Sequence, residues 1–93
     1  MEKLLAVEDN EEIQKQLKWG LGKDYKTFLA GNVSEALSLF ETHQPKVVTL
    51  DLGLPPDAEG SVEGFRCLEA IMQQAPRTKV IVLTGNEERE SAL

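Results

Sequence analysis

A single cysteine, Cys67, occurs in the 93-residue chain, so no internal disulfide can form, in agreement with a reducing compartment. No apolar run approaches the ~20 residues that a membrane helix needs, and the N-terminus reads as a strand rather than the apolar core of a signal peptide. These absences predict a cytoplasmic home with no membrane contact. Cations are outnumbered, ten Lys and Arg against sixteen Asp and Glu, and the net charge of −6 opposes direct binding of nucleic acid or an anionic membrane by this segment. Internal repeats, low-complexity tracts and linkers are missing too, and the length admits one domain at most. What remains is ordinary globular material: 41% hydrophobic and 28% charged residues exclude disorder.

Short apolar runs alternate with helical patterns, giving the order β-α-β-α-β-α-β. Lys3 to Val7 is an apolar run suited to a strand covered on both faces. Asp9 then reads as a helix cap with Glu12 as its capping-box partner, and Ile13, Leu17 and Leu21 form one stripe before Gly20 and Gly22 end the helix. Tyr25 to Ala30 is a less apolar strand that fits an edge. Asn32 and Glu35 form a second capping box, Ala36, Leu37 and Phe40 face inward, and Pro45 blocks further helix. Val47 to Leu50 is a third strand, and a loop from Gly53 to about Ser61 leads to a helix with Phe65, Leu68 and Met72 inward. Val80 to Leu83 is a fourth strand, and Asn86 starts a fourth helix. Parallel strands joined by helices cross over right-handedly, so the expected fold is a three-layer, doubly wound α/β sheet.

Chemistry concentrates where these strands end. Glu8 and Asp9 follow the first strand and Asp51 follows the third, at the carboxyl edge where such sheets bind ligands. Clustered acids repel one another unless a cation joins them, and a hard, oxygen-liganded ion such as Mg2+ is the natural counter-charge. An aspartate so placed is a candidate phosphoryl acceptor. A plainer reading makes Glu8 and Asp9 a helix cap with its first-turn acid, but a cap requires no third acid on the neighbouring strand. For Thr84 the lesser alternative is a plain β-branched strand residue. Cys67 reads as a core filler, His43 as a solvated loop residue, and Trp19, off the helix stripe, as partly packed.

In their order these residues resemble the receiver domains of two-component response regulators. The resemblance rests on Glu8-Asp9, on Asp51-Leu52-Gly53-Leu54-Pro55, on Glu63-Gly64 leading to Phe65 through Ile71, and on Thr84-Gly85, each at the end of its proper strand or the start of its helix. It implies a flavodoxin-like sheet, with Asp51 receiving a phosphoryl group from a sensor histidine kinase. It also implies Mg2+ held by Asp9, Asp51 and the Gly53 carbonyl with Glu8 linked through water, and Thr84 as the hydroxyl that turns to the phosphoryl group. An output domain beyond the chain, acting on transcription, is implied too. Narrower still, the chain resembles receivers of transcription regulators associated with PEP-CTERM protein-sorting systems.

Two departures from the family pattern stand out. Pro56-Asp57-Ala58-Glu59-Gly60 lengthens the loop after the third strand, and the chain stops in its fourth helix, so the receiver domain over 1–93 is expected to be incomplete. The strand order 2-1-3-4-5 then becomes 2-1-3-4, with the fifth strand and helix absent and no residue assignable to the family's phosphate-binding lysine. An exposed fourth-strand edge predicts a homodimer through that strand. Two other classes compete with the receiver reading. One is a phosphorylation-impaired interaction module. The other is a metal-dependent phosphatase, for which Gly53 stands where the general acid belongs.

Overall fold

In the computed structural model, which describes residues 1–54 and 62–83, four strands and three helices alternate along the chain. They are β1 (Glu2–Val7), α1 (Glu11–Leu21), β2 (Tyr25–Ala30), α2 (Val33–His43), β3 (Val47–Asp51), α3 (Val62–Gln74) and β4 (Lys79–Leu83). All neighbouring strands pair in parallel, in the order β2-β1-β3-β4. That is the expected doubly wound sheet. The step from β1 to β2 moves one way across it and the steps to β3 and β4 move back, so right-handed crossovers place α1 on one face and α2 with α3 on the other. Pro55 through Ser61, Thr84 and the helix expected from Asn86 lie outside the described residues.

Alternation along the strands divides the core between the two faces. Leu5, Val7, Val48 and Leu50 turn toward α2 and α3, where they meet the fully buried Ala36, Phe40, Cys67 and Ile71. Burying each of the larger apolar side chains contributes about 1.5–3 kcal/mol. Leu4 and Ala6 point to the opposite face, where Ile13, Leu17 and Leu21 of α1 are only half-buried.

Several local expectations change. Asn10, not Asp9, caps α1: its side chain accepts from the amides of Glu12 and Ile13, at 2.9 and 3.3 Å. Asp9 is thereby freed from capping. At α2, Asn32 accepts from Glu35 N as expected, but Glu35 reaches back to Gly31 N rather than to Asn32 N. The inward stripe of α3 is Gly64, Cys67 and Ile71, one step round from the expected set, and Phe65 stays 53% exposed. Cys67 is the core filler expected. His43 belongs to the last turn of α2 and stacks on Phe28 at 3.9 Å instead of lying in a solvated loop. Trp19 is 78% exposed, so it is not partly packed. Gln44 ends α2 in the left-handed conformation at φ 51°, ahead of Pro45. The apolar run of β4 pairs with β3 alone among the described residues, and Ile81 and Val82 are exposed rather than covered.

Candidate functional site

The register of the sheet builds the site. β1 pairs with β3 through Val7 and Leu50, so the next residues, Glu8 and Asp51, come side by side at the carboxyl edge. Glu8 N donates to Ala30 O at 2.9 Å, which carries the β1–β2 pairing one residue past Val7 and fixes where the turn into α1 begins. Asp9 follows in that turn. The carboxylate oxygens of Glu8, Asp9 and Asp51 lie within 4.8 Å of one another, with Glu8 and Asp51 buried and Asp9 half-buried.

Three acids in so little space carry an electrostatic cost, and it falls on Glu8. Removal of its carboxyl from water, opposed by the Asn10 amide and reinforced by the neighbouring Asp51, pushes its pKa from 4.5 up to about 7. Asn10 N donates to Glu8 Oε2 at 3.1 Å, and Gln14 Nε2 donates to the Glu8 carbonyl at 2.5 Å, so the first turn of α1 holds this residue in place. Neither Asn10 nor Gln14 was singled out as part of the site by the sequence. The signal for Asn10 was present, a cap-forming residue directly before a helix, but Asp9 beside it satisfies the same pattern.

Asp51 is oriented from its own loop. Gly53 N donates to Asp51 Oδ1 at 3.1 Å, and Leu54 N donates to Leu52 O at 3.0 Å, so the chain turns tightly just beyond β3. α3 presses on that turn through Gly64, where a Cβ would strike the Leu52 carbonyl oxygen at 2.5 Å. Only a glycine lets the helix approach so closely. Gly53 itself is buried, two residues beyond Asp51. Leu83 ends β4 opposite Asp51 in register, and Thr84 lies outside the described residues.

All the donors gathered here are oxygens and two of the three acids are buried, a set that suits a hard divalent cation and would lose its mutual repulsion on binding one. Among the described residues no other group of three or more His, Cys, Asp or Glu side chains has this arrangement. No described helix is long and apolar enough to cross a membrane.

Comparison with known proteins matches the response regulator receiver domain family over residues 4–93. The chain is 28% identical to the regulatory protein AtoC of Escherichia coli, over 98% of this chain and 19% of that protein. It is 30% identical to the alkaline phosphatase synthesis transcriptional regulatory protein PhoP of Bacillus subtilis, over 92% of this chain and 34% of that protein. Similarity at 33% extends to a protein-glutamate methylesterase/protein-glutamine glutaminase of Rhodospirillum rubrum, over 94% of this chain and 23% of that protein. The chain therefore spans roughly a fifth to a third of the length of these curated relatives. Among solved structures, a response regulator protein from Burkholderia pseudomallei with a phosphorylated aspartic acid and a calcium ion superposes with a TM-score of 0.80 at 29% identity, covering 91% of this chain and 48% of that one. The non-phosphorylated HemR receiver domain from Leptospira biflexa superposes with a TM-score of 0.77 at 27% identity, covering 96% and 73%.

Proposed function

Because this chain belongs to the response regulator receiver domain family, we propose that Asp51 is its phosphoryl acceptor and that Glu8, Asp9, Asp51 and the Gly53 carbonyl serve a Mg2+ ion beside it. The observation that carries this reading is the gathering of three carboxylates within 4.8 Å at the carboxyl edge of β1 and β3. Receiver domains are signalling switches with a phospho-acceptor role, not enzymes, although some relatives join a receiver to an enzymatic domain. In the proposed transfer, an Asp51 carboxylate oxygen forms a bond to phosphorus while the bond to the imidazole nitrogen of a sensor kinase phosphohistidine breaks, the electron pair leaving with the imidazole. The product is an acyl phosphate carrying a charge of about −1.5 to −2. Mg2+ would offset the acids and the incoming phosphoryl oxygens. The amide of Gly53 keeps the Asp51 carboxylate aimed, and Glu8 and Asp9 supply the remaining negative charge that draws the cation.

Downstream, the same reading makes Thr84 the hydroxyl that turns toward the phosphoryl group and shifts the segment after β4, controlling an output domain that acts on transcription. The narrower likeness to PEP-CTERM-associated regulators and a cytoplasmic location belong to this proposal. So does a homodimer: β4 is an edge strand among the described residues, and pairing with a second copy would cover Ile81 and Val82.

The test is mass spectrometry after incubation with a small phosphodonor and Mg2+. One stable phosphoryl adduct on Asp51, absent in Asp51→Asn, is the expected outcome. Labelling that persists in Asp51→Asn would remove the acceptor assignment. Continuous phosphate release would point to a phosphatase, and no adduct at all to an interaction module. Unchanged Mg2+ affinity in Asp9→Asn would remove the metal site.

A further inference from the structure

The end of the molecule opposite the acids carries a feature that phosphoryl transfer does not use. α1 begins beside Glu8 and runs away from it, so its last turn lies about 15 Å off, at the end of the sheet where the strands start. There Trp19, the chain's only tryptophan, stands 78% exposed. Lys15, Lys18, Gly22 and Lys23 join it in lining an open hollow of about 450 Å³. Lys23 Nζ sits 5.8 Å from the centre of the indole ring. None of the three lysines makes an ion pair among the described residues, where the pairs are Lys46 with Glu2 and Arg66 with Glu63. Lys18, in the last turn, answers the helix dipole, but that does not account for Lys15 or Lys23.

We propose that this Trp19 face docks a short acidic segment of a partner protein, its carboxylates meeting Lys15, Lys18 and Lys23 and an apolar side chain covering the indole. Charge complementarity selects that occupant. On a chain of net charge −6, three cations gathered around one exposed ring form a local positive spot that attracts a few carboxylates. A long polyanion such as nucleic acid would be repelled by the rest of the surface, and the patch has no arginine to grip phosphate in bidentate fashion. An exposed indole with adjacent cations supplies the anchor-and-rim chemistry of a protein interface, since large rings contribute much of the binding energy and surrounding charges set the partner. A segment seated here leaves the acidic edge open, so docking and phosphoryl transfer proceed at separate ends of the domain.

Trp19 is its own probe. The full chain is titrated with a short synthetic peptide of glutamate and leucine, with the same peptide bearing glutamine for glutamate, and with a single-stranded oligonucleotide, while indole emission is followed. The expected result is a saturable blue shift with the glutamate peptide alone, weakening with added salt and lost in the double variant Lys18→Glu, Lys23→Glu. Both lysines are exposed, so the variant should keep the native circular dichroism and its phosphoryl acceptance. An equal shift with the glutamine peptide would overturn the charge reading, a larger one with the oligonucleotide would make the site a polyanion site, and no shift with any probe would remove it.

Discussion

Glu8 should make the metal-free protein less stable as pH rises through neutrality. Its carboxyl titrates at about 7 when folded and near 4.5 when unfolded, chiefly because the folded chain removes it from water and Asp51 lies beside it. Between those values the folded state binds the extra proton, so stability falls as pH rises: the contribution is fully present below about 4.5 and gone above about 7. A difference of about 2.5 pH units corresponds to at most about 3 kcal/mol, a large share of the 5–15 kcal/mol typical of a domain. With a urea m-value of about 1 kcal/mol/M for a domain of this size, the unfolding midpoint in EDTA should drop by up to roughly 3 M between pH 4.5 and 8. Glu8→Gln imitates the protonated acid: it still accepts from Asn10 N, can donate toward Asp51, and carries no charge. That variant should unfold with little pH dependence over the same window and should exceed the parent in stability at pH 8. Saturating Mg2+ should stabilise both proteins at pH 8, and the parent more, because only there does the cation also offset the Glu8 charge. Urea melts at several pH values, read by circular dichroism, decide the matter. A parent whose stability is flat or rises from pH 5 to 8, or a Glu8→Gln variant that follows the same curve, would refute the account.

Further outcomes follow from the packing around the site. Gly64→Ala gains about 0.5–1 kcal/mol of helix propensity but forces a Cβ against the Leu52 carbonyl, and overpacking of this kind costs about 1–3 kcal/mol. The variant should melt lower and bind Mg2+ more weakly, because the displaced turn carries Gly53 away from Asp51. Gly20→Ala, where an added Cβ meets nothing within 4 Å, should instead raise stability by about 0.5–1 kcal/mol in the same melts. Cys67 is wholly buried and its thiol is pushed up to about 11 by that burial. It should resist thiol reagents at pH 8 in the native protein and react on unfolding; rapid native-state labelling would show that α3 is not packed as described.

Composition and periodicity alone determined the order of elements. β2 occupies Tyr25–Ala30 as expected, the apolar runs closing at Val7, Leu50 and Leu83 mark strand ends to within one residue, and the acids at 8, 9 and 51 fall at the carboxyl edge because strand direction and right-handed crossovers leave few alternatives. Local signals could not choose between neighbours that satisfy the same rule. Asp9 and Asn10 both suit a cap, and only the path of the chain after Glu8, held by Ala30, assigns capping to Asn10 and leaves Asp9 for the acidic cluster. The inward stripe of α3 likewise depended on a contact between residues far apart in sequence, Gly64 on Leu52, which rotates the helix and turns Phe65 outward. His43 gained its ring partner only when β2 and α2 packed together. Charge is the deepest case: three acids are visible in the chain, but the burial that lifts Glu8 toward neutrality arises from the sheet register that sets Glu8 beside Asp51, a distance no linear pattern contains.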